Sequence, residues 1–319
     1  MSNAVVALGG NAILQAGEKA TFSIQMGHLE NTAKTLVSLL DDFNALIVTH
    51  GNGPQVGDIL LQNEIAKEEI PPMPLDACVA ESQGLIGFML QTAIMNELRR
   101  SRKKADMMCC LTLVEIDANP VPPSKPIGPY YDKEMAEMLR EQKGWEMRLD
   151  PGRGGYRRLV PSPRPRSIIG LAALQTLMAE HRSSPLILIV GGGGGVPVVR
   201  DGDTYLGREA VVDKDLTSSL LACSLGADTL IMLTDIGAVY RDYGKVSEQP
   251  IRTIGPAELE TLLSQGQFPP GSMGPKVQAA ISFVRGCGKR ALITDAPTLP
   301  DALLGKAGTT VVRERSRTE

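Results

Sequence analysis

The amino-acid sequence predicts an α/β protein built around a mainly parallel open sheet with helices on both faces. Apolar runs of strand length recur along the 319 residues and alternate with longer amphipathic stretches. Such alternation is typical of parallel strands joined by crossover helices. Glycine-rich turns directly follow several of these runs, and 43% of the residues are apolar, which is enough for a large core.

Six apolar runs are predicted to be strands. They cover residues 4–8, 45–49, 107–114, 186–190, 229–233 and 290–294. Two helices are predicted from apolar residues at helical spacing, one over residues 28–40 and one over residues 277–284. Both helices are expected to pack on the sheet.

The stretch from 117 to 165 interrupts this alternation. It is rich in Pro, Gly, Lys and Arg, and it contains one short helical pattern over residues 133–142. We therefore predict a single domain over residues 1–319 that carries a small inserted lobe. This segment, residues 117–165, is called the insertion below.

Charge and cysteine usage limit the classes of partner. The formal net charge of -3 favours neither nucleic acid nor an anionic membrane surface. No apolar run reaches the roughly 18 residues that span a bilayer. The five cysteines form no CxxC pair and are interpreted as reduced packing residues, which predicts a cytoplasmic protein; they are Cys78, Cys109, Cys110, Cys223 and Cys287.

Three glycine-rich loops follow predicted strands and point to phosphate binding. They are Gly9-Gly10-Asn11, Gly51-Asn52-Gly53 and the five-glycine run that contains Gly193 and Gly194. In an open α/β sheet, ligands bind outside the carboxyl ends of the strands, and glycine lets the backbone approach a phosphate closely. Neither a dinucleotide fingerprint nor a P-loop is present, so the sequence predicts phosphate binding of another kind.

Long sequence strings spread over nearly the whole chain resemble carbamate kinases. They are VALGGNAIL (6–14), THGNGPQVG (49–57), MPLDACVAESQGLIG (73–87), KPIGP (125–129), GRGGYRRLVPSPRP (152–165), GGGGVPVV (192–199), EAVVDKDL (209–216) and PPGSMGPKVQAAI (269–281). The resemblance implies the amino-acid-kinase fold, a three-layer αβα sandwich with an eight-stranded sheet and a protruding subdomain, here the insertion acting as a lid. It also implies a homodimer, a carbamoyl-phosphate half over about residues 1–200 and a nucleotide half over about residues 201–312.

The same resemblance implies reversible phosphoryl transfer between carbamoyl phosphate and MgADP, giving ATP and carbamate in arginine, agmatine or purine and allantoin catabolism. ATP or ADP is then a substrate with Mg²⁺, and no metal ligand is assigned. Lys125 is the implied lid cation, Lys214 reaches the phosphate, and Asp213 orients the lysines. Lys276 is expected to open the helix over residues 277–284 beside the nucleotide β-phosphate. The implied adenine and ribose side contains Thr234, Asp235, Ala238, Tyr240, Tyr243 and Met273.

Several assignments stay open from the sequence. Arg153, Arg157 and Arg158 either clamp an anion or form a solvated basic strip. His50, beside the second glycine loop, either fixes a turn or lies near the substrate. The chain also departs from the family's pattern, with one extra residue in Gly152–Tyr156 and Ile236-Gly237 in place of Val-Asp.

Two alternative functions follow from the same residues. One is another small-acid or nucleotide kinase of the superfamily, and the other is a non-catalytic sensor of nucleotide or carbamoyl phosphate. The three lysines argue against a pure binding protein, because binding alone does not require cations that stabilise a transition state.

Overall fold

A computed structural model of the chain describes residues 2–15, 17–150, 154–181, 183–269 and 271–313. In chain order its strands are β1 (Asn3–Leu8), β2 (Ala45–His50), β3 (Asp106–Cys109), β4 (Leu113–Ile116), β5 (Pro123–Tyr131), β6 (Met147–Asp150), β7 (Gly155–Pro161), β8 (Pro165–Ile168), β9 (Leu186–Ile189), β10 (Val196–Asp201), β11 (Thr204–Gly207), β12 (Thr229–Leu233), β13 (Val239–Arg241), β14 (Gln249–Ile251), β15 (Thr253–Ile254), β16 (Arg290–Thr294) and β17 (Thr309–Val312). Its α-helices are α1 (Phe22–Ser38), α2 (Gly53–Ala66), α3 (Leu75–Ser101), α4 (Lys133–Lys143), α5 (Leu171–Glu180), α6 (Lys214–Ser224), α7 (Pro256–Ser264), α8 (Met273–Gly286) and α9 (Leu299–Leu303).

The central sheet has eight strands in the order β15-β17-β16-β12-β1-β2-β9-β3 within the described residues. Its neighbouring strands run parallel except β16 and β17, which are antiparallel. The prediction of a mainly parallel sheet is therefore confirmed. β1 is paired on both edges, by β12 and β2, and its apolar run is buried because helices cover both faces of the sheet.

Side chains of β1 alternate between two hydrophobic cores, one on each face of the sheet. Val5 and Ala7 lie in a core with residues of α6 and α8. Val6 and Leu8 lie in the other core, with residues of α1 and α3. Because successive strand residues point to opposite faces, this division confirms the three-layer αβα arrangement.

The run predicted as one strand over residues 107–114 is two strands in different sheets. β3 pairs with β9 in the central sheet, whereas β4 pairs with β8 and β10 in a four-stranded sheet of order β11-β10-β4-β8. The chain changes partners between them, since Cys110 N still donates to Ile189 O while Thr112 O already accepts from Val196 N. An apolar run cannot reveal a change of pairing partner, because both strands are apolar.

Helix boundaries also differ from the sequence expectation. α1 begins at Phe22, six residues before the predicted start at 28, because Thr21 caps it by accepting from Ile24 N. α8 begins at Met273, so Lys276 is its fourth residue and does not open the helix as expected. The helix expected over residues 133–142 is confirmed as α4, capped by Asp132 at one end and Gly144 at the other.

The insertion folds as a three-stranded antiparallel sheet of order β5-β7-β6 together with α4. Ala136, Leu139 and Met147 form its own small core. It contacts α2 at Gly57 and Gly128, where a Cβ atom added to Gly57 would lie 1.9 Å from Gly128 Cα. Only glycine at position 57 allows the two backbones to approach this closely.

Cys223 and Cys287 form a disulfide between the ends of α6 and α8, with their Cα atoms 5.4 Å apart. The expectation that all five cysteines are reduced packing residues is therefore wrong for this pair. The two cysteines are 64 residues apart in the chain and meet only because α6 packs beside α8. Cys78, Cys109 and Cys110 are free thiols, and burial raises the pKa of each.

Among the described helices, none combines the length and the apolar character that crossing a membrane requires.

Candidate active site

The three glycine-rich loops meet at one edge of the central sheet. They follow β1, β2 and β9, which are adjacent and parallel, so their carboxyl ends lie side by side. A Cβ atom added to Gly51 would lie 3.9 Å from Gly10 N, and one added to Gly193 would lie 2.2 Å from Asn52 Nδ2. The loops are thus in contact with one another, and this edge is the candidate active site.

The five-glycine run depends on glycine for its conformation. Gly193 and Gly194 have φ angles of 62° and 88°, in the region that side-chain-bearing residues rarely adopt. A Cβ atom on Gly194 would also lie 2.3 Å from Val212 O. The run therefore presents bare backbone, which is the arrangement that phosphate-binding loops require.

Three lysines from different parts of the chain converge on two aspartates. The Nζ atom of Lys125, in β5 of the insertion, lies 2.5 Å from Asp213 Oδ2. The Nζ atom of Lys214, the first residue of α6, lies 2.6 Å from Asp215 Oδ1. The Nζ atom of Lys276, in α8, lies 3.1 Å from Asp215 Oδ2. Lys214 is in turn next to the second glycine loop, since a Cβ atom on Gly51 would lie 3.6 Å from its Cδ.

The two aspartates have separate structural tasks. Asp213 is the N-cap of α6, because its Oδ1 accepts from Asp215 N at 2.9 Å while its Oδ2 faces Lys125. Asp215 forms ion pairs with both Lys214 and Lys276. The expectation that Asp213 orients the lysines is therefore wrong for Lys214 and Lys276, which Asp215 holds. Sequence analysis missed Asp215, although three neighbouring ammonium groups call for more than one carboxylate.

Burial and neighbouring charges shift the pKa values of the buried Asp215, Lys214 and Lys276 side chains in different ways. Burial alone would raise the pKa of the Asp215 carboxyl, but the ammonium groups of Lys214 and Lys276 outweigh it and hold that pKa below its usual range. Burial lowers the pKa of Lys214, with the Lys276 charge acting in the same direction. For Lys276 burial also acts downward, but Asp215 and Asp213 outweigh it, and the pKa of Lys276 is raised.

Arg157 lies beside the second glycine loop, and Arg158 points away from it. A Cβ atom on Gly53 would lie 3.7 Å from Arg157 Nη2, and Arg157 Nε donates to Gly128 O at 3.0 Å. Arg158 lies over the Trp145 ring, 4.3 Å from its centroid. Arg157 is buried, so it is not part of a solvated basic strip. Arg153 and Gly152 lie outside the described residues.

The predicted nucleotide side borders the lysine cluster through Asp235. Asn11 Nδ2 donates to Asp235 Oδ2 at 3.0 Å, which joins the first glycine loop to the end of β12, and Thr234 Oγ1 donates to Asp235 Oδ1. The Asp235 carboxylate also helps to raise the pKa of Lys276. Further along the chain, the Tyr240 and Tyr243 rings lie 5.8 Å apart.

Several predicted site residues turn their side chains into the interior. Asn52 is buried, and its side-chain amide lies against Gly193 of the five-glycine run while donating to Ser82 Oγ at 2.8 Å. Ala238 and Met273 are also buried. Gly9 packs against the end of β12, where an added Cβ atom would lie 2.7 Å from Leu233 O. At Gly9, which has no side chain, only backbone groups can contact a ligand.

Comparison with known proteins identifies the family of this chain. The amino acid kinase family model matches residues 3–295. "Carbamate kinase" of Thermococcus kodakarensis is 42% identical over 98% of this chain and 100% of its own length, and that of Trichomonas vaginalis is 43% identical over 97% and 98%. The solved structure of Giardia lamblia carbamate kinase bound to AMP-PNP has a TM-score of 0.86 at 38% identity, covering 98% of this chain and 99% of that one. The chain belongs to the amino acid kinase family and, within it, to the carbamate kinases.

Proposed function

We propose that the protein catalyses reversible phosphoryl transfer between carbamoyl phosphate and MgADP, giving ATP and carbamate. The observation that carries this proposal is the convergence of Lys125, Lys214 and Lys276 beside three glycine-rich loops. Phosphoryl transfer through a loose transition state depends on positioned cations and backbone donors more than on covalent chemistry. The site offers both, and the two relatives named above, at 42% and 43% identity, are carbamate kinases.

Each lysine has a proposed role that follows from where it is held. Asp215 keeps Lys214 and Lys276 on one side of the transferring group, and their charges stabilise the negative charge that develops on its oxygens. Lys125 reaches the same place from the insertion and is held by Asp213. Carbamate already carries a nucleophilic oxyanion, so the reaction towards carbamoyl phosphate requires no general base.

The two substrates are assigned to the two sides of this cluster. Carbamoyl phosphate is proposed to bind backbone groups of the glycine loops, with Arg157 as an anion-binding side chain. These loop residues are Gly9, Gly10, Asn11, Gly51, Asn52, Gly53, Gly193 and Gly194. The nucleotide is proposed to bind near Asp235 and Lys276, along the segment that contains Thr234, Ala238, Tyr240, Tyr243 and Met273.

Magnesium is proposed to enter as the nucleotide complex. Within the described residues, no group of three or more His, Cys, Asp or Glu side chains forms a metal site. Asp213 and Asp215 are both occupied by lysine ammonium groups. A hexacoordinate Mg²⁺ held mainly by nucleotide phosphate oxygens and water fits such a site. The ion then supplies further charge neutralisation of the phosphates.

A homodimer is proposed to form through α3. Leu85, Phe88 and Met95 are large apolar residues exposed along that helix, and Phe22 of α1 stacks on Phe88 with ring centroids 6.3 Å apart. Contiguous exposed apolar side chains of this kind mark association surfaces. The cytoplasmic location and the catabolic pathway remain predictions from the sequence.

A coupled assay for ATP tests the proposed function. Purified protein with MgADP is expected to make ATP from carbamoyl phosphate, and far more slowly from acetyl phosphate, which lacks the carbamoyl amide. Equal turnover with glutamate or UMP as phosphoryl acceptor would identify a different kinase of the family. Tight binding of carbamoyl phosphate without turnover would identify a sensor instead.

A further inference from the structure

His50 is a buried histidine at the candidate active site to which the proposed mechanism assigns no task. It is the last residue of β2 and only 1% exposed. Its Nδ1 lies 3.0 Å from Gly51 O, the carbonyl of the first residue in the second glycine loop. One edge of the ring is therefore bonded to the loop that follows it.

The opposite edge of the His50 ring faces the five-glycine run. A Cβ atom added to Gly192 would lie 2.4 Å from His50 Nε2 and 2.6 Å from Cε1. Unlike the other glycines of the run, Gly192 does not have a positive φ angle. Its backbone would accept alanine, so glycine is required there by the neighbouring side chains, foremost the His50 ring.

The chemistry of the ring follows from its surroundings. Burial lowers the pKa of His50 to about 4, and the Lys214 charge acts in the same direction. The ring is therefore neutral near pH 7 and carries a single proton. A carbonyl oxygen can only accept a hydrogen bond, so this proton lies on Nδ1 and Nε2 is left as an acceptor towards the glycine run.

Gly51 connects the ring to the catalytic cluster. A Cβ atom on Gly51 would lie 3.6 Å from Lys214 Cδ and 3.7 Å from Cε, so the loop backbone runs alongside the lysine side chain. A shift of Gly51 therefore changes the space available to Lys214. Small displacements of groups that position a reacting phosphate are costly in rate.

We propose that His50 is a positioning residue that keeps the second glycine loop and the five-glycine run at a set separation around the phosphate of the acyl phosphate substrate. It does so by donating from Nδ1 to Gly51 O and by packing its other edge against Gly192. The inference rests on the proposed function only for the identity of the substrate. The hydrogen bond and the contact themselves are independent of it.

Conservative substitutions separate this role from general packing. His50→Asn keeps a donor near the position of Nδ1, His50→Gln moves the donor towards that of Nε2, and His50→Ala removes both. His50→Ala is expected to lower kcat/KM for carbamoyl phosphate by about 10- to 100-fold, with the KM for ADP within about twofold of wild type. His50→Asn is expected to recover most of this loss and His50→Gln little of it. His28→Asn, at a histidine on α1 paired with Glu18, is the matched control.

A second variant tests the same contact from the other side. Gly192→Ala is expected to reproduce the loss in kcat/KM, because its methyl group meets the His50 ring. In the double variant, His50→Ala removes the atoms that the methyl group meets, so the two losses are expected to be less than additive. Additive losses, or equal losses for carbamoyl phosphate and ADP, would overturn the proposal.

Nitrogen NMR of ¹⁵N-histidine-labelled protein provides a readout that needs no substrate. One ring is expected to remain neutral and protonated on Nδ1 at about pH 5.5, and its signals are expected to vanish in His50→Asn. A proton on Nε2 would overturn the proposal whatever the enzyme turns over. Failure of wild-type turnover with an Nδ1 proton present would instead contradict only the proposed substrate.

Discussion

At the scale of single residues, two aspartates, Asp213 and Asp215, hold the three lysines of the candidate active site. Asp215 is 3% exposed and accepts from two lysines at once, whereas Asp213 holds one lysine and also caps α6. Removing one partner from a buried ion pair is costly because the other charge is left without compensation. Because Asp215 pairs with two lysines, its loss is expected to leave two buried ammonium groups without an anionic partner.

Asp215→Asn is expected to lower kcat by about a hundredfold or more and the free energy of unfolding by about 3 kcal/mol. The amide keeps the shape of the side chain but leaves Lys214 and Lys276 without an anionic partner. Steady-state kinetics and urea unfolding measure the two effects. Asp203→Asn, on the exposed turn between β10 and β11, is the control and is expected to change neither. Full activity in Asp215→Asn would contradict the assigned role.

Replacement of Lys125 and replacement of Lys276 are expected to have different effects on kcat and on nucleotide affinity. Lys276 lies in the first turn of α8, where a cation opposes the helix dipole unless an anion is near, and Asp215 is that anion. Because Lys276 also borders Asp235, Lys276→Ala is expected to raise the KM for nucleotide and to lower kcat.

Lys125 reaches the cluster from the insertion, so its charge is expected to matter mainly during transfer. Lys125→Ala is expected to lower kcat by about a hundredfold with ADP affinity nearly unchanged. Calorimetric titration of ADP into each variant, beside its turnover, measures the difference. Collapse of ADP affinity with normal kcat in Lys125→Ala would make Lys125 a nucleotide ligand.

At the scale of secondary-structure elements, α6 and α8 are joined at both ends. Lys214 and Lys276 meet on Asp215 near their N-terminal ends, and Cys223 and Cys287 are bonded at their C-terminal ends. The cross-link closes a segment of 64 residues. Constraint of the unfolded chain by a loop of that length contributes about 4 kcal/mol to stability.

The double variant Cys223→Ser, Cys287→Ser is expected to lose about 4 kcal/mol of unfolding free energy while retaining near-normal KM values. Reduction with dithiothreitol is expected to lower the stability of the wild type and to leave the double variant unchanged, which serves as the internal control. Thiol titration in denaturant is expected to find three of the five cysteines free. Five free thiols in the untreated protein would exclude the bond.

The contact between α2 and the insertion depends on two glycines. Gly57→Ala is expected to push the insertion away from α2, because the new methyl group would lie 1.9 Å from Gly128 Cα. Lys125 would move with it, so kcat is expected to fall about tenfold or more. Gly84→Ala is the matched control, since Gly84 is also helical and an added Cβ atom there has no neighbour within 4 Å.

Trp145 reports this displacement directly. It is the single tryptophan of the chain, lies in the insertion and borders a surface depression together with Glu64 of α2 and Lys67, the residue that follows this helix. Gly57→Ala is therefore expected to shift the tryptophan emission, and Gly84→Ala is not. Unchanged emission together with unchanged kcat would show that the contact does not position the insertion.

At the scale of the whole molecule, the exposed face of α3 is expected to be covered by a second copy of the chain. Sedimentation at micromolar concentration is expected to give a dimer. Phe88→Glu is expected to give a monomer, because Phe88 is 58% exposed and a buried carboxylate there would be uncompensated. Leu304→Glu, at an exposed leucine outside α3, is the control. A monomeric wild type would contradict the proposed association.

The sequence by itself determined the features that depend on neighbouring residues. The alternation of apolar runs predicted the parallel sheet, the glycine loops predicted a phosphate-binding edge of that sheet, and long motifs identified the family. The lysines Lys125, Lys214 and Lys276 were also identified in this way, from strings that contain them.

Only the tertiary structure decided which distant groups meet. Lys276 and Asp215 form an ion pair although they are 61 residues apart in the chain, and Lys125 and Asp213 do so although they are 88 apart. The two cysteines of the disulfide meet because α6 and α8 pack side by side. The split of residues 107–114 into β3 and β4 and the placement of His50 between two loops also depend on chain path. Local periodicity and turn chemistry carry no information on such contacts, because they are set by the packing of elements far apart in the sequence.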